Sequence, residues 1–123
     1  MGMKTFIQED DVSLLLDIAN MACHRGYPGE ARTIIDGVLA IKPDFIPAKI
    51  TLAYSHLVVD EFNMALDILD PIIAHSPTDA DARLMQGLTL LLAKRNDEAA
   101  TAFAAIPDGV PQKSLAEELV RAM

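Results

Sequence analysis

Tryptophan is absent, the only aromatics are four Phe and two Tyr, and a single cysteine, Cys23, is present. A core without large rings must be filled by Ala, Leu and Ile, which suits closely approaching helices better than a sheet sandwich. One thiol excludes an internal disulfide framework and fits a reducing compartment, so cytoplasm is the expected location. Basic residues are scarce as well, 10 Lys and Arg against 18 Asp and Glu, for a net charge of −8. Phosphate backbones repel such a chain, which argues against nucleic acid as a partner. The longest apolar run, Leu88-Thr89-Leu90-Leu91-Leu92-Ala93, falls far short of the roughly 20 residues that span a bilayer, so no membrane partner is expected. Met1 to Asp11 hold one Lys, then Glu9-Asp10-Asp11, and lack the apolar centre of a secretory signal.

Reaction chemistry is missing too. There is no cysteine pair at ligand spacing, no phosphate-binding glycine loop and no nucleophile elbow. His24, His56 and His75 fall on different predicted helices, and the adjacent Cys23 and His24 point about 100° apart on a helix, which disfavours a shared metal. Asp60-Glu61 and Asp97-Glu98 read as turn and helix-start charges. The expectation is a protein with no metal, no cofactor and no enzymatic activity, in which Cys23 is a buried thiol.

What the chain does have is a period. Ala31, Ala65 and Ala99 stand 34 residues apart, and so do Pro43, Pro77 and Pro111. Two independent marks on one interval of that size signal a helix-turn-helix repeat array. The helical pattern agrees. A first helix over about 11–24 carries the apolar stripe Leu14, Leu15, Ile18, Met21 and Ala22 and stops at Gly26. A second, Pro28 to Ile41, faces inward through Ala31, Ile34, Ile35, Val38, Leu39 and Ile41. Further helices follow over about 45–59, from Phe62 onward, and over about 79–93; Asp44, Thr78 with Asp81, and Asn96 are the expected caps of helices three, five and six. Pro71 should kink or break the fourth helix. The sixth buries Ala99, Ala102, Phe103 and Ile106 and ends early at Pro107-Asp108-Gly109. A last helix, about 112–122, sets Leu115, Leu119 and Val120 against Lys113, Glu117, Glu118 and Arg121, the amphipathic closure an array needs. Residues 1–10 read as an arm, with Phe6 and Ile7 its apolar residues.

Aligned by period, the units 12–45, 46–79 and 80–113 cover 102 of 123 residues and resemble tetratricopeptide repeats. The family's small residue early in the second helix matches Ala31, Ala65 and Ala99, and its closing proline matches Pro43, Pro77 and Pro111. Its small residue in the first helix matches Ala19, Ala53 and Gly87; its turn glycine matches Gly26 but meets Asp60 and Lys94 in the other units. Glu30 and Glu98 match the glutamate before the alanine, where the middle unit has Met64, and the late aromatic survives as Phe103. Leu15, Lys49 and Arg83 depart from the family's tryptophan-like position. The fold implied is all-α: three such repeats in a short right-handed superhelix, covering 11–123, with a C-terminal capping helix.

The resemblance also implies a concave groove lined by the first helix of each unit. Carried over, its partner-binding positions include Leu16, Asn20 and Cys23, then Ile50, Tyr54 and Leu57, then Leu84, Leu88 and Leu91, with Ser13, Pro47 and Asp81 at the same register. Members that clamp acidic peptide tails need Lys and Arg there. This groove has one Asn and an apolar floor, which suits a protein or peptide with apolar helical anchors. The arm or a second copy of the chain, as a homodimer, could equally cover it, and the Leu84, Leu88, Leu91 stripe could be plain core. Size, repeat number and groove character together resemble the small cytoplasmic chaperones of bacterial type III secretion. The competing expectation is a permanent assembly subunit that uses the same apolar surface for homo- or hetero-oligomerisation.

Overall fold

The structure, a computed structural model, describes residues 9–123. Among these, seven helices follow one another with no strand: α1 Glu9–His24, α2 Pro28–Ile41, α3 Ile46–Leu57, α4 Phe62–His75, α5 Ala80–Leu92, α6 Asn96–Ala104 and α7 Pro111–Ala122. The arm expected over residues 1–10 lies outside the described residues, except that Glu9 and Asp10 belong to α1.

Each turn between α1 and α2, α3 and α4, and α5 and α6 has the same backbone. Gly26, Asp60 and Lys94 take the left-handed conformation, at φ 85, 62 and 66°. Only at Gly26 is this free of a Cβ penalty; Asp60 and Lys94 accept a cost of about 1 kcal/mol to keep the turn. The residue after each closes a bond across the helix end: Tyr27 N–H to Ala22 O at 2.8 Å, Glu61 N–H to His56 O at 3.0 Å and Arg95 N–H to Leu90 O at 2.9 Å. The α2–α3 and α4–α5 connections match as well, with Phe45 N–H donating to Lys42 O and Asp79 N–H to Ser76 O. The bond in the same register further on, Lys113 N–H to Val110 O, falls in the first turn of α7, which starts earlier.

The helices pack in two layers. α1, α3, α5 and α7 touch in that order, and α2, α4 and α6 each touch the odd-numbered helices on either side. Close approach requires small residues at the crossings, and Ala19, Ala31, Ala53, Ala65 and Ala99 are fully buried. Ile35, Leu69 and Phe103, again 34 residues apart, are the large buried side chains that sit between the layers. Gly87 answers Phe103: a Cβ there would lie 2.2 Å from the ring.

Several local expectations are corrected. α4 runs unbroken through Pro71, so no break occurs; the proline only leaves the Asp67 carbonyl without its helical donor. The caps fall elsewhere. Phe45, not Asp44, precedes α3, and Arg95, not Asn96, precedes α6, neither with a side-chain bond. α5 is capped by Asp79, whose Oδ1 accepts from Ala82 N–H at 3.0 Å, and not by Thr78. On α1 the buried face is Val12, Leu16, Ala19 and Cys23, so the apolar stripe that includes Leu14, Ile18 and Met21 points outward. On α7, Ala116 is the buried contact while Leu115 and Val120 are exposed.

Candidate functional site

The outer surface of the α1–α3–α5 layer carries two adjoining depressions. One, of about 260 Å³, is lined by Asn20, Pro47, Ile50, Thr51, Asp81, Leu84, Met85 and Leu88. The other, of about 340 Å³, lies between α1 and α3 against Ser13, Leu16, Asp17, Asn20, Phe45, Pro47 and Thr51. Asn20, Pro47 and Thr51 border both, so the two form one continuous surface. The reason is the register. Residues 34 apart on successive first helices share a face, which brings Leu16, Ile50 and Leu84 into one row.

Of the expected groove residues, Asn20, Ile50, Leu84 and Leu88 meet here, with Leu16 at the floor. Cys23 and Leu57 are 1 and 5 % exposed and lie in the core, whereas Leu16, 7 % exposed, is buried and still lines the floor of the second depression. Cys23 packs within the first core cluster, where α2 lies against α1. Tyr54 and Leu91 are half-buried and pack against the first and third core clusters outside the depressions. Burial pushes the Cys23 thiol up, which suppresses its thiolate. The rim is acidic, with Asp17 and Asp81; Asp81 also accepts from Gln112 Nε2 of α7 at 2.8 Å. Lys49 and Arg83 turn away from the floor, Lys49 toward Asp44 at 3.9 Å and Arg83 onto Pro77 O at 2.9 Å.

Two features escaped the sequence reading. A cleft of about 720 Å³ between α2 and α4 is lined by Leu39, Ile46, Leu52, Ile68, Pro71 and Ile72, with Asp44, Lys49, Asp67 and His75 around it. Pro71 was the visible signal, but its place beside a cleft depends on α2. The second is a polar cluster at the α2–α3 joint. Arg32 Nε donates to Ser55 Oγ and Nη2 to Ser55 O, each at 3.0 Å. Arg32 Nη2, His56 Nδ1 and Glu61 Oε1 then form a triangle with 3.0 Å sides. Ser55 Oγ donates onward to Leu52 O at 2.6 Å. Since Nδ1 either accepts from Arg32 or donates to Glu61, the tautomer decides which side is bonded. Ser55 Oγ gives its proton to a backbone carbonyl and accepts from Arg32, so the cluster is built as a clamp, with no free nucleophile. The signal was Arg32 itself, a charge among the apolar residues of α2.

Among the described residues no three His, Cys, Asp or Glu side chains gather as metal ligands, and no helix is long and apolar enough to cross a membrane. No known protein family, curated protein or solved structure matches this chain.

Proposed function

We infer that the chain is a protein-binding module built of three tetratricopeptide-like units and a closing helix, whose first helices hold an apolar segment of a partner. The observation that carries this reading is the continuous depression across α1, α3 and α5, apolar at Ile50, Leu84, Met85 and Leu88 and acidic at its rim. The 34-residue recurrence of left-handed turn residues and turn hydrogen bonds supports the repeat assignment and, with it, a superhelical stacking of the units. An apolar floor with carboxylates beside it fits a helical or extended segment that presents apolar anchors and flanking Lys or Arg. The biology it resembles is that of the small type III secretion chaperones, which keep an aggregation-prone subunit unassembled.

A photo-crosslinking side chain placed at Asn20 or Asp81, both exposed at the rim, tests this in the cell of origin. Met64, exposed on α4, is the control position. A common adduct from the two rim positions, absent from Met64 and weakened by Leu88→Asn, is the expected result. Equal adducts from all three positions, or none from the rim, would overturn the groove reading.

A further inference from the structure

α1 presents an apolar stripe to solvent: Leu14, Ile18 and Met21 are 57, 43 and 53 % exposed. The rest of the fold shows what such a face is for. On α3 the residues 34 positions later are Ala48, Leu52 and Ser55, and this side receives α2, with Ala48 and Leu52 in the first core cluster and Ser55 bonded to Arg32. On α5 the same register holds the buried Ala82 and Thr89 with the half-buried Gln86 between them, on a helix in contact with α4. On α7 it holds Ala116, buried in the cluster that includes α6, followed by Val120 and the terminal Met123, which are 41 and 43 % exposed. The stripe on α1 is therefore a helix-receiving face with no helix on it among the described residues. At the opposite end of the molecule the next stacking face is polar. The face of α7 in register with Val12, Leu16 and Ala19 carries Ser114, Glu118 and Arg121, all exposed, with Glu118 and Arg121 paired.

We propose that this face of α1 binds the same face of a second copy, the two α1 helices running antiparallel about a two-fold axis beside Ile18. Spacing and charge both point to this occupant. Asp11, Leu14, Ile18, Met21 and Arg25 follow intervals of three, four, three and four residues, the seam of a two-helix contact. An antiparallel pair centred on Ile18 places Leu14 of one copy by Met21 and Ala22 of the other. It also sets Asp11 near the start of each helix beside Arg25 at the end of the other. A parallel pair would oppose like charges. The contact is isologous, as a two-fold interface must be, and it lies on a different set of α1 residues from the depression at Ser13, Leu16, Asp17 and Asn20, so it stands or falls independently of the groove.

Sedimentation over a concentration series tests it, with the full chain. A monomer–dimer equilibrium is expected, with a dissociation constant on the order of 10 µM for one short helix pair. Ile18→Glu, at an exposed position, should weaken it by at least roughly a hundredfold while circular dichroism keeps the helical signal. Asp11→Arg and Arg25→Asp should each weaken it about tenfold, and the two together should restore most of it. Ile18→Cys should form a disulfide-linked dimer under mild oxidation, undisturbed by the buried Cys23. A chain that remains monomeric at several hundred micromolar, on the order of fifty times that constant, overturns the proposal. So does a dimer that Ile18→Glu leaves intact, or a charge pair that fails to rescue.

Discussion

The α2–α3 and α4–α5 joints lie beside turns of the same left-handed form but are held together by different chemistry. Where α2 meets α3, the joint is polar: Arg32 reaches across to Ser55, His56 and Glu61. At the same register one unit later stand Leu66, Thr89, Leu90 and Arg95. There Leu66 packs on the third core cluster, Leu90 is buried within it, and Thr89 is satisfied by Met85 O at 2.7 Å. Within the units the contrast runs the other way. Ala19 and Ile35 share the first core cluster and Ala53 and Leu69 the second, each a small residue with a large one at the register where Gly87 meets the Phe103 ring, the most unequal division of the three. The geometry of the turns is thus conserved within the chain while the means of filling the space between helices is free to vary.

The most disruptive way to break this comparison is Gly87→Ala. Replacing a mid-helix glycine by alanine ordinarily gains about 1 kcal/mol. Here the new Cβ meets three ring atoms of the buried Phe103 at 2.2, 2.5 and 2.8 Å, and overpacking of that kind costs up to about 3 kcal/mol. The clash wins, and the net loss should be about 2 kcal/mol, a fall of roughly 8 °C in Tm for a chain of this size. Gly87→Ala with Phe103→Leu rebuilds the Ala53–Leu69 pairing of the middle unit and should recover most of that loss. A thermal-melt double-mutant cycle with no coupling between the two sites would show that the pair is not a packing unit.

Next in size is the conversion of the polar joint into the apolar one. Arg32→Leu removes the donor to Ser55 O and Ser55 Oγ and should cost about 1 kcal/mol, because the guanidinium is partly exposed and its net hydrogen-bond contribution modest. Adding His56→Leu supplies the pair found at Leu66 and Leu90 and should return stability to near the starting level, since well-packed apolar residues commonly replace a polar cluster without loss. Chemical denaturation of the two variants separates the outcomes. If the double variant is weaker than the single, the joint needs its polar contacts.

The all-helical fold was legible in the sequence because its helix stops are punctuation: a left-handed turn residue, a small buried residue and a proline recur at fixed spacing whatever fills the core. Asp60 and Lys94 were readable as departures from Gly26, yet the turn conformation holds at all three. The rotation of α1 was not legible. The helix is apolar on two sides, so Val12, Leu16, Ala19 and Cys23 compete with Leu14, Ile18 and Met21 for the core, and only the position of α2 settles it. The burial of Cys23 follows from that rotation. Asn20, Ile50, Leu84 and Leu88 line one depression, as residues in related register on successive helices can do despite a small rotation. Arg32 and its partners lie 23 to 29 residues apart, and no local pattern announces that pairing.

The finest difference between the two regions is in their response to acid. Glu61 and Glu98 both have carboxyls held below the ordinary 4.5, Glu61 first by its hydrogen bond with His56 and then by Arg32, and Glu98 by its hydrogen bonds with Arg95. A folded value below the unfolded one means stabilisation that is complete above about 4.5 and is lost as the pH falls through the depressed value. The settings differ. Arg95 and Glu98 sit three residues apart on an open surface, where salt screens the pair. Glu61 instead ties the α3–α4 turn to a His56 side chain that is only 10 % exposed and to Arg32 from another helix. Glu61→Gln should therefore flatten the fall of Tm between about pH 6 and pH 3 at low salt and in roughly 0.5 M salt alike. Glu98→Gln should change it less, and only at low salt. Matching profiles for the two variants at both salt levels would mean that the polar joint behaves as one more surface ion pair, and the contrast between the joints would then rest on packing alone.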